Sequence, residues 1–420
     1  MNGIRLPSYK SKTNQKKIED MPLPERVLLY ASQHIGCPSK VIVKRRDEVA
    51  RGQIVAKVGG ACSVNLHSPI AGKVVEVSLL DRPSGSLCQT VVIENTGGPQ
   101  EIECLEPLKD LTPENIRQRV LDAGIEGLGG AGFPTHIKLC PPKEIKTVLL
   151  NGAECEPFLT ADERIMVEDA DKIVGGLEYM KISVGAQEAV ICIEDDKPEA
   201  IKAMRAAAEK KENIRLEVLP KIYPQGCEKM LITKVTGLEV PSGGLPHDVG
   251  VTVHNTGTCL ALYEAVVDGK PLIERVLTLS GPEVPEGRNL RVSIGTPISE
   301  ILKFSQISLE GNYNLIMGGP MMGFSVDNIE TGIMKTTSGI LLLKPEKTTE
   351  YPCIKCGKCV IACPIRLNPQ LLNKMYSVGA FEDMAGAHLA DCIECGCCAY
   401  ICPSGIPLTQ NFKAAKRRIQ

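Results

Sequence analysis

Two cysteine runs near the end of the chain constrain it more than anything else in its 420 residues. Residues 353–364 read CIKCGKCVIACP and residues 392–403 read CIECGCCAYICP. A shift of 39 positions (353 to 392) lays Cys353, Cys356, Cys359, Cys363 and Pro364 on Cys392, Cys395, Cys398, Cys402 and Pro403. Each copy is C-x2-C-x2-C-x3-C-P, a spacing that holds [4Fe–4S] cubanes. Three cysteines in a tight loop turn three soft thiolates towards one face of a cube, and soft thiolates select iron–sulfur clusters and zinc. Gly357 and Gly396 let the backbone bend closely around such a group.

The fourth cysteine of each run points away and reaches the other cluster, as in bacterial two-cluster ferredoxins. The expected ligand sets are therefore Cys353, Cys356 and Cys359 with Cys402, and Cys392, Cys395 and Cys398 with Cys363. Structural zinc asks for C-x2-C pairs set far apart, not four cysteines within eleven residues. Disulfides need export, and the opening MNGIRLPSYKSK lacks the apolar stretch of a signal peptide. Eighteen cysteines without export imply a reducing cytoplasm. Cys397 breaks the repeat, its counterpart being Lys358; it is expected to be a non-ligand packed near a cluster. The remaining cysteines are expected to be mostly small buried hydrophobes.

A net charge of −2 gives no argument for nucleic acid. The basic run KAAKRR at 413–418 reads as a solvated helix face. No apolar run reaches the ~18 residues of a membrane span. Residues 40–77 read as short strands in which valines alternate with charges and Gly52 and Gly72 mark turns. That pattern resembles barrel-sandwich domains of the biotinyl/lipoyl type. Lys57 is the only lysine of the tip region AKVGGACSVNL and lacks the flanks of a modified lysine, so a structural barrel is expected. Residues 110–265 read as α/β. Thr112 caps a helix begun by Pro113; TVLL, AVICI and IRLEVL read as buried strands; 165–183, 198–211 and 226–237 read as helices. VTVHNTGTCLALYEAVVDG reads as strand, loop and helix. Residues 272–343 are β-rich and suggest a small ubiquitin-like unit. A polar linker is expected at 345–349, and a helical segment at 369–384 between the cysteine runs.

The loop GIEGLGGAGFPTHIKL, 124–139, carries five glycines in nine residues, including G-x-G-x-x-G at Gly127, Gly129 and Gly132. A dinucleotide fingerprint would follow a strand, and this one follows a helix. The loop still suits a phosphate: glycines bring backbone N–H groups close to an anion, a following helix N-terminus adds positive potential, and Lys138 supplies charge. The segment NGAECEPFLTADER follows the strand TVLL and sets Asn151, Glu154 and Glu156 at its C-terminal end, where open α/β sheets bind ligands. YPQGCEKML sets Gly226 and Glu228, and VHNTGT sets Asn255 and Thr258, at similar strand ends. Four such loops suggest one crevice, whose polar groups suit an isoalloxazine ring or a ribose. His254 and His136 read as satisfied structural histidines.

These residues carry a resemblance. PLPERVLLYASQHIG, GLGGAGFPTHIKL, NGAECEPFLTADERIM, YPQGCEKMLITKVTGLEVPSGGLP, GGPMMGF and both cysteine runs resemble the C subunit of the Rnf complex, an ion-translocating ferredoxin:NAD oxidoreductase, over nearly the whole chain. More distantly, the chain resembles the flavin subunit of respiratory complex I. The resemblance implies a multidomain α/β protein: a barrel-sandwich hybrid (1–98), a Rossmann-like FMN- and NADH-binding domain (99–268), a ubiquitin-like (SLBB) β-grasp domain (269–345) and an α-helical ferredoxin-type domain with two [4Fe–4S] clusters (346–420). It implies that Gly129, Gly130, Gly132 and Lys138 hold FMN phosphate. It implies that Asn151, Glu154 and Glu156 border the flavin ring and nicotinamide, that Gly226 and Glu228 serve flavin and NADH, and that Asn255 and Thr258 line the flavin. Glu156 and Glu228 are the expected catalytic pair. The eight cysteines are again the cluster ligands.

The implied function is electron transfer between NAD(H), FMN and the clusters, with Rnf membrane and ferredoxin-type subunits as partners at the cytoplasmic face of the inner membrane. Nicotinamide gives two electrons and a cubane takes one, so a flavin must stand between them. There are departures. Cys227 stands where complex I relatives have a second glutamate, and GIRLPSYK replaces a His-Pro-Pro opening. Two alternatives follow: a soluble paralogue feeding a methylene-tetrahydrofolate or cobalamin reductase, and a cluster-only relay without flavin.

Overall fold

The computed structural model describes residues 3–83, 85–309, 313–345 and 349–419. Most of the expected linker at 345–349 therefore lies outside the described residues.

The alternating valines build two small antiparallel sheets. One has the order Arg26–Tyr30, Leu87–Asn95, Gly72–Asp81, Glu48–Val49; the other Lys40–Val41, Ile54–Lys57, Leu66–His67. The register pairs Val27 with Ile93 and Leu29 with Val91, and all four side chains are fully buried. A period of two turns every second residue inward, as the sequence pattern requires. Lys57 lies within a strand, opposite Lys40, rather than on a turn.

Four parallel strands form the second sheet, in the order Ile214–Leu219, Glu188–Glu194, Thr147–Gly152, Val251–Asn255. TVLL and AVICI are buried throughout, as central strands should be. IRLEVL differs from expectation: it is an edge strand, with Arg215 and Val218 exposed. The helix Pro113–Asp122 begins as read, with Thr112 Oγ1 accepting from Asn115 N at 3.3 Å. The helix expected at 165–183 is two, Ala161–Glu168 and Ala170–Val184, broken at Asp169. Val251–Asn255 runs directly into the helix Thr256–Tyr263 without the expected loop, because Asn255 is itself the cap. A Cβ on Gly176 would lie 1.9 Å from Cys259 O, so only glycine lets the helices Ala170–Val184 and Thr256–Tyr263 pack this closely.

The third sheet has the order Ile18–Asp20, Arg288–Ser293, Glu274–Ser280, Gly339–Leu343, Asn314–Met317, Phe324–Ser325. Its first strand comes from the start of the chain and pairs parallel with Arg288–Ser293. The leading segment thus straps across units far apart in sequence. After the first cysteine run, the segment expected to be one helix is two, Pro369–Ser377 and Phe381–Gly386, separated where Gly379 takes φ 72°. The final helix, Leu408–Ile419, buries Leu408, Phe412 and Ala415. Its basic run is not simply a solvated face: Lys416 Nζ donates to Cys392 O at 2.5 Å, and Arg418 lies 4.9 Å over the Phe381 ring.

One buried group ties three units together. Lys335, from the third unit, donates through Nζ to Asn65 O of the barrel at 3.1 Å and to Gly124 O of the glycine loop at 2.8 Å. Its ammonium lies 3.7 Å from Glu126 Oε2, and both side chains are almost wholly buried. Removing one partner of such a pair strands the other charge in a medium that cannot solvate it. Lys335→Met should therefore lower unfolding free energy by about 3–5 kcal/mol, read by urea denaturation. Unchanged stability would mean the junction contributes nothing.

Candidate functional site

The parallel sheet ends its strands on one edge, and the register sets Asn255 beside Asn151 there. Asn151 Nδ2 donates to Gly226 O at 2.8 Å, joining the strand end to the 223–228 loop. Asn255 Oδ1 accepts from Gly257 N at 2.9 Å, capping its helix, and its Nδ2 donates to Asp162 Oδ2 at 2.8 Å. The glycine loop lies over Asn255: a Cβ on Gly129 would stand 3.2 Å from Asn255 Cβ. Thr258 Oγ1 accepts from Leu128 N at 3.0 Å, so this hydroxyl anchors the loop. Lys138 pairs with Glu228. The four loops do converge.

The glycine loop has the features of an anion cradle. Gly129 and Gly130 are exposed, Gly130 takes φ 114° with open space where a side chain would stand, and Gly132 takes φ 63°. Among the described residues, the N–H groups of Gly129, Gly130, Ala131 and Gly132 meet no acceptor of the chain. Successive free N–H groups in such a turn make a site for phosphate. The helix that follows, Thr135–Lys138, is a single turn, so the expected helix-dipole contribution is small. Nearby, Gln225 is buried with both amide atoms unpartnered, between Tyr223 and Gly226. A phosphate and a ring with polar edges fit these vacant donors and acceptors.

Glu154 and Glu156 are otherwise engaged. Glu154 is buried and accepts from Asp162 N at 2.9 Å and Glu163 N at 3.2 Å, capping the helix Ala161–Glu168. Burial, only partly offset by Lys10 3.9 Å away, raises its carboxyl to about 7. Glu156 accepts from Met321 N at 3.0 Å and Met322 N at 2.9 Å, so it latches the GGPMMGF loop of the third unit. A Cβ on Gly319 would come within 2.3 Å of that carboxylate, which is why the loop needs glycine there. His254 is satisfied by Thr252 Oγ1 at 2.7 Å; His136 differs from expectation, its Nδ1 being buried and unpartnered.

The cysteine runs enclose two hollows. Cys353, Cys356, Cys359 and Cys402 line one. Cys363, Cys392, Cys395 and Cys398 line the other, with Cys397 beside them. The backbone repeats with the sequence: Lys355 and Glu394 both take φ 57°, and Gly357 and Gly396 take 74° and 81°. Among the described residues, no three His, Cys, Asp or Glu side chains converge tightly enough for a single metal ion. Four thiols around a void fit a larger inorganic core. Burial pushes the Cys398 thiol up to about 12, so only a coordinated metal would keep it a thiolate at neutral pH.

The hollows differ in surroundings. Cys353 and Cys356 are exposed, whereas Cys363 and Cys395 are buried. The buried hollow abuts the strand-end crevice: Tyr223 Oη donates to Cys395 O at 2.8 Å, and Tyr223, Ala362, Cys395 and Cys397 share an apolar patch with Met321 and Cys155. Sequence reasoning passed over Tyr223 and Met321, although both stand inside the quoted motifs YPQGCEKML and GGPMMGF. Of the ten cysteines outside the two sets, only Cys88, Cys192, Cys259 and Cys397 are buried, so the expectation that most are buried hydrophobes does not hold.

The comparisons with known proteins agree along the chain. Residues 1–98 match the RnfC barrel sandwich hybrid domain, 120–264 the Nuo51 FMN-binding domain and 352–406 the 4Fe-4S dicluster domain. The chain is 43% identical over 379 residues to the C subunit of the proton-translocating ferredoxin:NAD(+) oxidoreductase complex of Clostridium ljungdahlii, covering 88% of this chain and 83% of that one. It is 42% identical to the C subunit of the ion-translocating oxidoreductase complex of Rhodobacter capsulatus, covering 99% and 82%. It is 40% identical to the C subunit of the Na(+)-translocating ferredoxin:NAD(+) oxidoreductase complex of Acetobacterium woodii, covering 99% and 96%. Among solved structures, NAD+-reducing [NiFe]-hydrogenase in the air-oxidized state matches at a TM-score of 0.50 and 17% identity, over 73% of this chain and 54% of that one, a likeness of fold.

The Glu156 latch makes a pH dependence. Burial raises its carboxyl from 4.5 to about 7, so the folded chain keeps a proton that the unfolded chain releases. Stability from this group is present below pH 4.5 and falls as pH rises towards about 7. In Glu156→Gln that share of the fall should vanish. Urea midpoints at about pH 5 and about pH 7.5 read it; an equal fall in both proteins would refute it.

Proposed function

Since the chain belongs to the RnfC family, the C subunits of Rnf complexes, we propose that it is the NAD-side electron-transfer subunit of such a complex, working between NAD(H), FMN and two [4Fe–4S] clusters. One observation carries this reading: the strand-end crevice and the buried four-cysteine hollow share a wall, and the second hollow opens outward. Bound FMN would supply the exchange between two-electron and one-electron carriers. The chain's own residues do the positioning. Free N–H groups at Gly129, Gly130 and Gly132 cradle phosphate, with Lys138 as the nearby cation. Asn151 and Gly226 fix the floor of the crevice, and Asn255 and Thr258 fix the glycine loop above it. Glu228 neutralises Lys138 until an anion competes for it. Glu154 and Glu156 act through structure, the first by capping a helix and the second by holding Met321 against the buried hollow.

The finer readings have their own support. Cys353, Cys356, Cys359 and Cys402 ligate one cluster, and Cys363, Cys392, Cys395 and Cys398 the other. The third sheet runs, from Arg288–Ser293, in the order second, first, fifth, third, fourth strand, with the first and fifth parallel; this order supports a β-grasp unit. Among the described residues no helix is long and apolar enough to cross a membrane, which suits a protein held at the cytoplasmic face by partners.

Anaerobic reconstitution with iron, sulfide and FMN, then titration with NADH, tests the reading. Bleaching of the flavin band is expected. Bound FMN that NADH fails to bleach would remove the nicotinamide site from this chain, and failure to bind FMN would favour the bare relay. Cys353→Ser and Cys398→Ser should each about halve the bound iron, because each strips one of two separate hollows. Loss of all iron in either variant would contradict the separate ligand sets.

A further inference from the structure

Two of the cysteines outside the cluster sets face one another. Cys37 and Cys62 stand on adjacent loops of the barrel, one exposed and the other partly so. Cys37 N donates to Cys62 O at 2.8 Å, and Cys62 Sγ donates to Ile35 O at 3.2 Å. Three glycines let the loops close. A Cβ on Gly36 would lie 2.6 Å from Cys62 Sγ, one on Gly60 2.9 Å from Cys37 Sγ, and one on Gly59 1.9 Å from Pro38 O. A direct backbone hydrogen bond brings the two residues close enough for a disulfide, whose Cα atoms stand roughly 4.4–6.8 Å apart. Burial pushes the Cys62 thiol up, and the neighbouring Cys37 adds to the push.

The segment carrying Cys37 also holds the glycine loop. Ile35 N donates to Gly132 O at 3.0 Å, and a Cβ on Gly132 would press on Gln33 O at 3.1 Å. His34 Nε2 bonds Cys37 O at 3.0 Å while its Nδ1 lies 3.7 Å from Glu126, within the glycine loop. The thiol pair and the loop are thus two sides of one short strap, 33–37.

We propose that Cys37 and Cys62 are a redox-active pair whose disulfide stiffens this strap and, through Gly132, the glycine loop. The oxidant is a low-molecular-weight disulfide. Cys37, the more exposed, attacks it as the thiolate; the S–S bond breaks, a mixed disulfide forms and one small thiol leaves. Cys62 then attacks the Cys37 sulfur and expels the second small thiol. The pair gives up two electrons and two protons, and both end on the two released thiols. Reduction by excess dithiol reverses each step. Stiffening of the loop belongs to this chain alone; an effect on flavin also rests on the reading given under Proposed function.

The test uses the full reconstituted chain treated anaerobically with oxidised glutathione, alkylated and peptide-mapped. A peptide linking Cys37 to Cys62 is expected, lost again on dithiothreitol. Amide exchange across 127–133, read at the hydrogen-bonded amides of Gly127 and Leu128, should slow by about threefold or more in the linked form, and FMN release should slow with it. Cys62→Ser should instead keep a glutathione adduct on Cys37 and show no slowing. A lasting adduct on Cys37 of the unaltered chain, without the linked peptide, would overturn the proposal. So would a linked peptide with unchanged exchange at 127–133. Slower exchange in a chain that never retains FMN would support the thiol pair while sinking the flavin reading.

Discussion

The rest of the structure depends on the contact between Tyr223 and the carbonyl of Cys395. The tyrosine belongs to the strand-end loop that holds Gly226 against Asn151, and the carbonyl belongs to the loop that lines the buried cysteine hollow. Electron transfer falls steeply with distance, so a chain that passes electrons must fix its carriers against one another. Here one ring spans the gap, with its hydroxyl bonded at 2.8 Å and its body in an apolar patch with Met321, Ala362 and Cys397. The hydrogen bond sets orientation, and the apolar patch supplies most of the cohesion. A second contact, Ser242 Oγ to Asp391 Oδ2 at 2.5 Å, pins the same unit from its rim.

Holding several units rigid around a crevice has required charges to be buried between them. Glu126 with Lys335 and Glu154 with Lys10 are both almost completely removed from water. Buried pairs of this kind add little net stability over apolar packing, because desolvation offsets the attraction. Their value is positional: a mispaired charge is very costly, so each pair admits one arrangement of its units. Lys10 lies in the leading segment and Lys335 in the third unit, yet both reach groups next to the strand-end loops. The glycine loop, whose turn must keep its N–H groups vacant, is thereby held by its neighbours as well as by its own bond from Gly127 N to Phe133 O at 2.8 Å.

The cysteine spacing was fully legible, because a soft-metal site of four thiols leaves little freedom in where the thiols stand. The convergence of Asn151, Gly226, Asn255 and the glycine loop was also legible, since parallel strands must end on one edge. What each side chain does there was not. Glu154 and Glu156 read alike as crevice carboxylates, but one caps Ala161–Glu168 and the other holds Met321 and Met322, a partner 165 positions away for Met321. Such long-range partners leave no periodic trace. The break at Asp169 escaped for the opposite reason: apolar periodicity continues through it, and only the local backbone departs from helix.

Identical spacing does not make the two cysteine sets equivalent. At the position where the outer run has Lys358, the inner run has Cys397, fully buried and in the patch with Tyr223. A cation beside a cluster favours the more negative, reduced state and burial disfavours it; the inner hollow has both, since Lys416 Nζ donates to Cys392 O. The inner set is also the one walled off from solvent, while Cys353 and Cys356 lie open. With a cluster in each hollow, the same ligand geometry would therefore sit in two different surroundings, one open to solvent and the other enclosed. The surroundings of the repeat, not its spacing, thus distinguish the two sets: the inner hollow abuts the crevice of the same chain, and the outer one opens to solvent.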